Sequence, residues 1–447
     1  MQTASLTQQQ KAILGIGGVL ILILVLGFTG IIPGLRKKPS ATRQISSLTV
    51  WGVGDDKSVF DSIFPGFGVS ITYVKKDYAT YEQDLITALA AGEGPDVFMI
   101  HDAWLPKYQN LVTPAPADLI TPLTVQKQFP DVVSQDFIRN GNIYALPLSI
   151  DTLALFYDKD IFNGSFVSAP PRTWGQLETL ATRLTKRDAT GAITQSGIAL
   201  GGSATNVDKA ADILSMLMIQ NGSKMSDGAS YTSALDTPLT IGGGQPGVDA
   251  LKFYLQFADP HSSFFTWDTS QHYSIDAFSY NPSVNNKVAM MINYHYQIPT
   301  LLAKNPNLNF GVATLPQQDS ATEAQYATYP DYWGYAVSKA SKDPALAWKF
   351  VLYLTAYNQA KTYLQNTHNP PALRALIQND QNDPILSVFA NQILIAKSWV
   401  RPGHETTNSV LSNAISSVQQ GLLSPDEAIS AANQQLNALF NAIPNKQ

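Results

Sequence analysis

An α/β fold is predicted for this 447-residue chain from three features: buried-type strands that alternate with an amphipathic helix, helix starts written in capping residues, and a 45% hydrophobic content able to fill cores of ordinary size. The strand signals come first. Leu48–Val53, Ser70–Val74 and Asp96–Ile100 are short apolar runs, and between the last two Tyr81–Ala91 sets Leu85, Ile86 and Leu89 on one helical face before Gly92 stops it. Strand, helix, strand in this order implies a sheet with a helical crossover.

Later helices announce their own ends. Thr173 with Gln176 precedes Leu177, Leu180, Ala181 and Leu184; Asp343-Pro344 opens a helix carrying Trp348, Val351 and Leu352; Ser424-Pro-Asp-Glu427 opens the last one. Lys287–Asn293 and Phe310–Leu315 read as further short strands. Gly242-Gly-Gly244 lacks the Lys-Ser/Thr of a phosphate loop and is read as a plain loop. No internal repeat or heptad seam is visible.

Composition narrows the function. The formal charge is −5, and beyond residue 43 there are 24 Lys+Arg against 34 Asp+Glu, a balance of −10 that argues against a nucleic-acid partner. The absence of cysteine excludes disulfides, thiolate metal sites, a cysteine nucleophile and a lipid-bearing cysteine. Attachment to a membrane then falls to the polypeptide. Ala12–Ile32 is an uncharged run that would be roughly 32 Å long as a helix, matching a bilayer core of about 30 Å. We read residues 1–11 as a tail, 12–32 as an uncleaved transmembrane anchor and 33–46 as a basic, Pro/Ser/Thr-rich stalk. A cleaved signal peptide is the rival, opposed by the length of the run and the lack of a clear A-x-A site. Arg36, Lys37 and Lys38 would favour a cytoplasmic body by the positive-inside rule, so an extracytoplasmic body is expected from the rest of the chain rather than from the flank.

Several stretches resemble, in order, the bacterial extracellular solute-binding proteins that include the maltose-type binders. They are Ala88-Leu-Ala-Ala-Gly-Glu-Gly-Pro-Asp-Val-Phe98, Gly141-Asn-Ile-Tyr-Ala-Leu-Pro-Leu148, Leu155-Phe-Tyr-Asp-Lys-Asp-Ile-Phe162 and Pro171-Arg-Thr-Trp-Gly-Gln-Leu177. Lys287–Met291, Gly311–Pro316, Trp333–Ser338, Ala347–Phe350 and Gly421–Ala428 follow. The resemblance implies a two-lobed periplasmic-binding-protein fold of type II with three hinge crossings, near Ser149–Thr152, Tyr329–Trp333 and Thr367–Pro371. The first lobe is expected over 47–151 and 330–368, the second over 152–329 and 369–447. Two departures stand out: Val53–Ile71 is shorter than the family's usual first helix and loop, and Met99 occupies a place that is aromatic in maltose-type binders.

The resemblance also implies a function: capture of a small solute in the inter-lobe cleft, without catalysis or cofactor, for the permease subunits of an ABC-type importer. A monomer is expected. Sugars need carboxylates or amides for their hydroxyls and rings for their C–H faces. Asp102 and His101 end the third strand, Asp151 stands where the family carries an acid at the first crossing, and Tyr296 with its neighbour Tyr294 falls on the family's aromatic platform. Trp333 sits at the second crossing. Trp51 and Asp55 form the first-lobe rim, Trp104 follows Asp102, and Trp399, Arg401 and His404 occupy a late loop that some members aim at ligand. Each has an ordinary reading as well: an N-cap for Asp102, core packing for the aromatics. The competing functions are a membrane-anchored glycosidase using Asp102 and Asp151, an adhesion role, and a peptide or polyamine receptor; no Ser-His pair or H-E-x-x-H motif supports catalysis.

Overall fold

The computed structural model describes residues 47–240, 242–268, 273–280, 287–378 and 382–443. The expected tail, anchor and stalk lie outside them. Among the described residues no helix is long and apolar enough to cross a membrane.

The first sheet is built around three parallel strands: β1 (Ser47–Val53), β2 (Ser70–Lys76) and β3 (Val97–His101), with β1 in the middle. The crossover from β2 to β3 is α1 (Tyr78–Ala91), which starts one turn before the expected Tyr81. Asp77 explains the earlier start, because its carboxylate accepts the Ala79 amide at 2.8 Å and caps the first turn. Gly92 ends the helix in the left-handed region (φ 73°), as its C-terminal position demands. All five residues of β3 are buried, which is why they read as a continuous apolar run.

The chain then passes through β4 (Ala145–Pro147) and β5 (Asp151–Thr152) into β6 (Ala154–Asp158), the centre of a second sheet. On either side of β6 lie β7 (Met290–Asn293) and β8 (Phe310–Ala313), both antiparallel to it. This sheet's core includes Leu155, Phe156, Met290 and Ile292, with Trp174 and Leu177 supplied by a helix at Trp174–Leu184. A helix at Ala210–Gln220 joins the same core and packs against the helix at His404–Gln419, which in turn packs against the C-terminal helix at Pro425–Asn441. The last begins at the expected capping box of Ser424 and Glu427.

Between the sheets, β9 (Pro330–Asp331) pairs antiparallel with β5, setting Asp331 opposite Asp151. The chain continues at once into β10 (Trp333–Ser338), which returns to the first sheet antiparallel to β3 with Trp333 opposite His101. Ser149 bridges to Pro371, and the Ile150 amide donates to the Pro370 carbonyl at 3.3 Å. Segment Ser149–Thr152 is therefore hydrogen-bonded to both Tyr329–Trp333 and Thr367–Pro371. The short stretch after β1 forms two 3₁₀ turns, Lys57–Phe60 and Phe64–Phe67, whose Phe60 and Phe64 rings stack at 4.8 Å.

One close approach has a measurable consequence. A β-carbon at Gly197 would lie 1.9 Å from the Ala181 carbonyl oxygen of the helix at Trp174–Leu184. Gly197→Ala should cost roughly 1–3 kcal/mol or more by forcing the helix away from the end of the short strand at Ile193–Ser196. Urea unfolding checks this, and an unchanged midpoint would refute the close packing.

Candidate functional site

The strand ends and the paired segments Ser149–Thr152, Tyr329–Trp333 and Thr367–Pro371 enclose a cavity of about 630 Å³. Its wall mixes the rings of Tyr78, Tyr296 and Trp333 with the carboxylates of Asp55, Asp151 and Asp331, the ammonium of Lys209 and the amide of Asn369. That volume lies within the range of pockets that take small organic ligands.

Behind one wall runs a row of buried charges. Arg401, whose side chain is only 1% exposed, bonds Asp102 at the end of β3. Asp102 lies 2.7 Å from His101 Nδ1, and His101 Nε2 lies 2.7 Å from Asp331 Oδ1 on β9. Asp331 Oδ2 accepts the Tyr296 hydroxyl at 3.0 Å, which fixes a wall ring that is 41% exposed. Burial by itself would strip the proton from His101, but the facing carboxylates of Asp102 and Asp331 lift its pKa to about 9. Burial likewise opposes ionisation of Asp331, yet the His101 hydrogen bond and charge hold it well below the usual carboxylate range. Arg401 and His101 keep Asp102 ionised in the same way. The row reads plus, minus, plus, minus.

Asp151 is satisfied by backbone. It accepts the amides of Thr152 at 2.7 Å, His295 at 3.0 Å and Tyr296 at 2.9 Å, tying β5 to the turn after β7. Burial outweighs these three bonds and raises its pKa to about 7. Lys209 is held in the left-handed region (φ 60°), a conformation costly for a residue with a side chain, with its ammonium 5.4 Å from the Tyr296 ring centre.

Of the twelve residues selected from the sequence, Asp55, Asp151, Tyr296 and Trp333 line this cavity. The other eight do not. Asp102 and Arg401, expected to reach solute, are fully buried against each other, and His101 lies between two carboxylates. Trp104 is a wedge beneath the loop, stacked on Tyr81 at 5.9 Å and edge-on to Trp333 at 5.0 Å. Tyr294 is buried beneath Tyr296, their rings 5.2 Å apart, and its hydroxyl donates to Asp212 at 3.2 Å. Trp51 carries the Lys76 ammonium over its ring at 3.8 Å. Trp399 borders a separate hollow with Asp136 and Met225, and His404 packs its ring 4.3 Å from that of His101. Asp55 lines the cavity while accepting the Tyr363 hydroxyl at 2.8 Å.

Sequence reasoning missed Tyr78, Lys209, Asp331 and Asn369. Asp331 carried a usable signal, since an acid flanked by Pro330 and Tyr332 inside an expected crossing invites the argument applied to Asp151. Lys209 carried none, because its role comes from backbone geometry.

The charge row makes stability depend on pH in a defined window. The pKa of His101 is raised from 6.5 to about 9. The folded state therefore keeps a proton that the unfolded state releases, and the resulting stabilisation is full below pH 6.5 and lost as pH rises through about 9. The contribution is on the order of 3 kcal/mol. Urea unfolding between pH 6.5 and 9 should show falling stability that His101→Asn flattens; an equal slope in the variant would contradict the assignment.

Comparison with known proteins agrees with this architecture. The chain is 24% identical over 389 residues to a binding protein of Brucella abortus strain 2308, covering 86% of this chain and 88% of that one. It is 25% identical over 365 residues to the maltodextrin-binding protein MdxE of Bacillus subtilis, covering 80% and 81%. Its fold superposes on a cyclo/maltodextrin-binding protein complexed with maltotetraose with a TM-score of 0.71 at 21% identity, over 91% of this chain and all of the other. The profile of the bacterial extracellular solute-binding protein family matches residues 52–361, more than half of the chain. With its two-lobed α/β fold, the chain belongs to the bacterial extracellular solute-binding protein family.

Proposed function

We propose that this protein is an extracytoplasmic receptor that captures a carbohydrate in the cavity between its sheets and presents it to the permease subunits of an ABC-type importer, without chemical turnover. The observation that carries the reading is the composition of the cavity wall. Exposed Tyr296, together with Trp333 and Tyr78, offers ring faces to the C–H surfaces of a sugar, while Asp151, Asp331, Lys209 and Asn369 offer acceptors and donors around the rings. Relatives named for maltotriose and for maltodextrin binding support the same class of solute. In this reading residues 12–32 anchor the receptor, residues 33–46 form its stalk, and the segments Ser149–Thr152, Tyr329–Trp333 and Thr367–Pro371 act as the hinge on which the lobes close.

Catalysis has little to work with here. Asp102, one of the two acids a glycosidase would need, is sealed behind the wall by Arg401 and His101, and Asp151 is held in place by three backbone amides with room on Oδ2 only to accept a further hydroxyl.

A soluble form beginning near Ser46 should therefore gain thermal stability with a linear or cyclic malto-oligosaccharide, because a ligand at 100 times its Kd stabilises the folded state by about 2.7 kcal/mol. Tyr296→Ala should weaken binding by at least about tenfold, on the order of 1.4 kcal/mol, while leaving the unliganded melting temperature within a few degrees. A broad sugar panel giving no shift, with peptides or polyamines giving one, would overturn the carbohydrate reading.

A further inference from the structure

The charge row explains why His101 and Asp331 are buried together, but it leaves His404 unexplained. This residue opens the helix at His404–Gln419, its side chain is 9% exposed, and its ring lies 4.3 Å from the His101 ring. Its Nδ1 is buried with no hydrogen-bond partner. Packing a second imidazole against an imidazolium, with a polar nitrogen left unsatisfied, costs free energy unless something else shares the space.

Taken together, the side chains match the requirements of a metal centre. One ligand atom from each of His101, Asp331 and His404 lies within 4.8 Å of the other two, and the His101–Asp331 pair is closer, at 2.7 Å. Tetrahedral zinc with bonds of about 2.0–2.1 Å needs ligand atoms roughly 3.4 Å apart, so shifts on the order of 1 Å would suffice. The support behind the ligands is also present. His101 Nδ1 accepts the Ala103 amide at 3.2 Å and lies 2.7 Å from the carboxylate of Asp102, which Arg401 holds in turn, so the imidazole is fixed in orientation from its far side, as the groups behind metal-bound imidazoles require.

We propose that His101, Asp331 and His404 form a binding site for a divalent transition-metal ion of the zinc type, in which the ion replaces the proton shared between His101 and Asp331. The ligands come from the end of β3, from β9 and from the helix at His404–Gln419, so the ion ties together the same elements as the charge row. Asp331 also belongs to the cavity wall, which puts the ion at the cavity's edge. The proposal does not depend on which solute the cavity takes.

Isothermal titration of the chelator-stripped full-length chain in detergent with zinc chloride tests it. One Zn²⁺ per chain with micromolar or tighter affinity is expected, and His404→Ala should weaken it by at least about tenfold, as loss of a ligand must. Binding weaker than about 1 mM, or a loss below tenfold in a variant that melts like the native chain, would overturn the proposal. Should His404→Ala fail to fold, Co²⁺ substituted into the native chain decides instead. The strong visible absorption of a four-coordinate ion is expected, and the weak band of a six-coordinate, water-like ion would overturn the site.

Discussion

Arg401, Asp102, His101 and Asp331 lie in a row of alternating sign, almost wholly out of water, and they come from three different parts of the chain. Removing charges from water costs several kcal/mol for each ion, and only a complete set of partners offsets that cost. The row is therefore an all-or-none constraint. The end of β3, the strand β9 and the loop before the C-terminal helices must reach their places together, or some charge is left buried alone. The Arg401 guanidinium also lies 5.4 Å from the centre of the buried Tyr329 ring, just ahead of β9, so the row is seated on an aromatic floor.

What the row fixes is the wall of the cavity. Asp331 faces His101 with one oxygen and holds the Tyr296 hydroxyl with the other, so the orientation of an exposed ring is set by a carboxylate that the buried His101 and Asp102 hold in place. Trp333, opposite His101 in the sheet, meets the imidazole edge-on at 5.0 Å. On the other side, Asp151 gathers three amides and locks the turn that carries Tyr296 to β5. A platform held rigid from both sides binds with less loss of side-chain entropy than one ordered only by its ligand. The Tyr78 hydroxyl reaches Glu405 at 3.3 Å, adding a direct link between α1 and the helix at His404–Gln419.

Much of this architecture was legible in the sequence, for identifiable reasons. Fully buried strands such as β3 and β6 leave continuous apolar runs, and caps such as Asp343-Pro344 and Ser424 with Glu427 are local chemistry that reads without tertiary information. The site was only partly legible. An acid at a strand end must find a partner, and sequence gave no means of telling a solute hydroxyl from Arg401, which lies 299 positions away from Asp102. The same ambiguity turned Trp104 and Tyr294 from candidate platforms into supports beneath Trp333 and Tyr296. Spacing could not suggest that His101, Asp331 and His404 converge, because they come from three distant segments.

In the proposed receptor a sugar lies against a platform organised by these buried groups. A crystal structure of the receptor grown with the best-binding oligosaccharide tests it most directly. A sugar ring stacked on Tyr296 or Trp333 is expected, with hydroxyls bonded to Asp331, Asp151 or Lys209 and with Arg401 still paired to Asp102. A sugar bound elsewhere on the surface, or one that draws Asp102 out of its pair with Arg401, would contradict it.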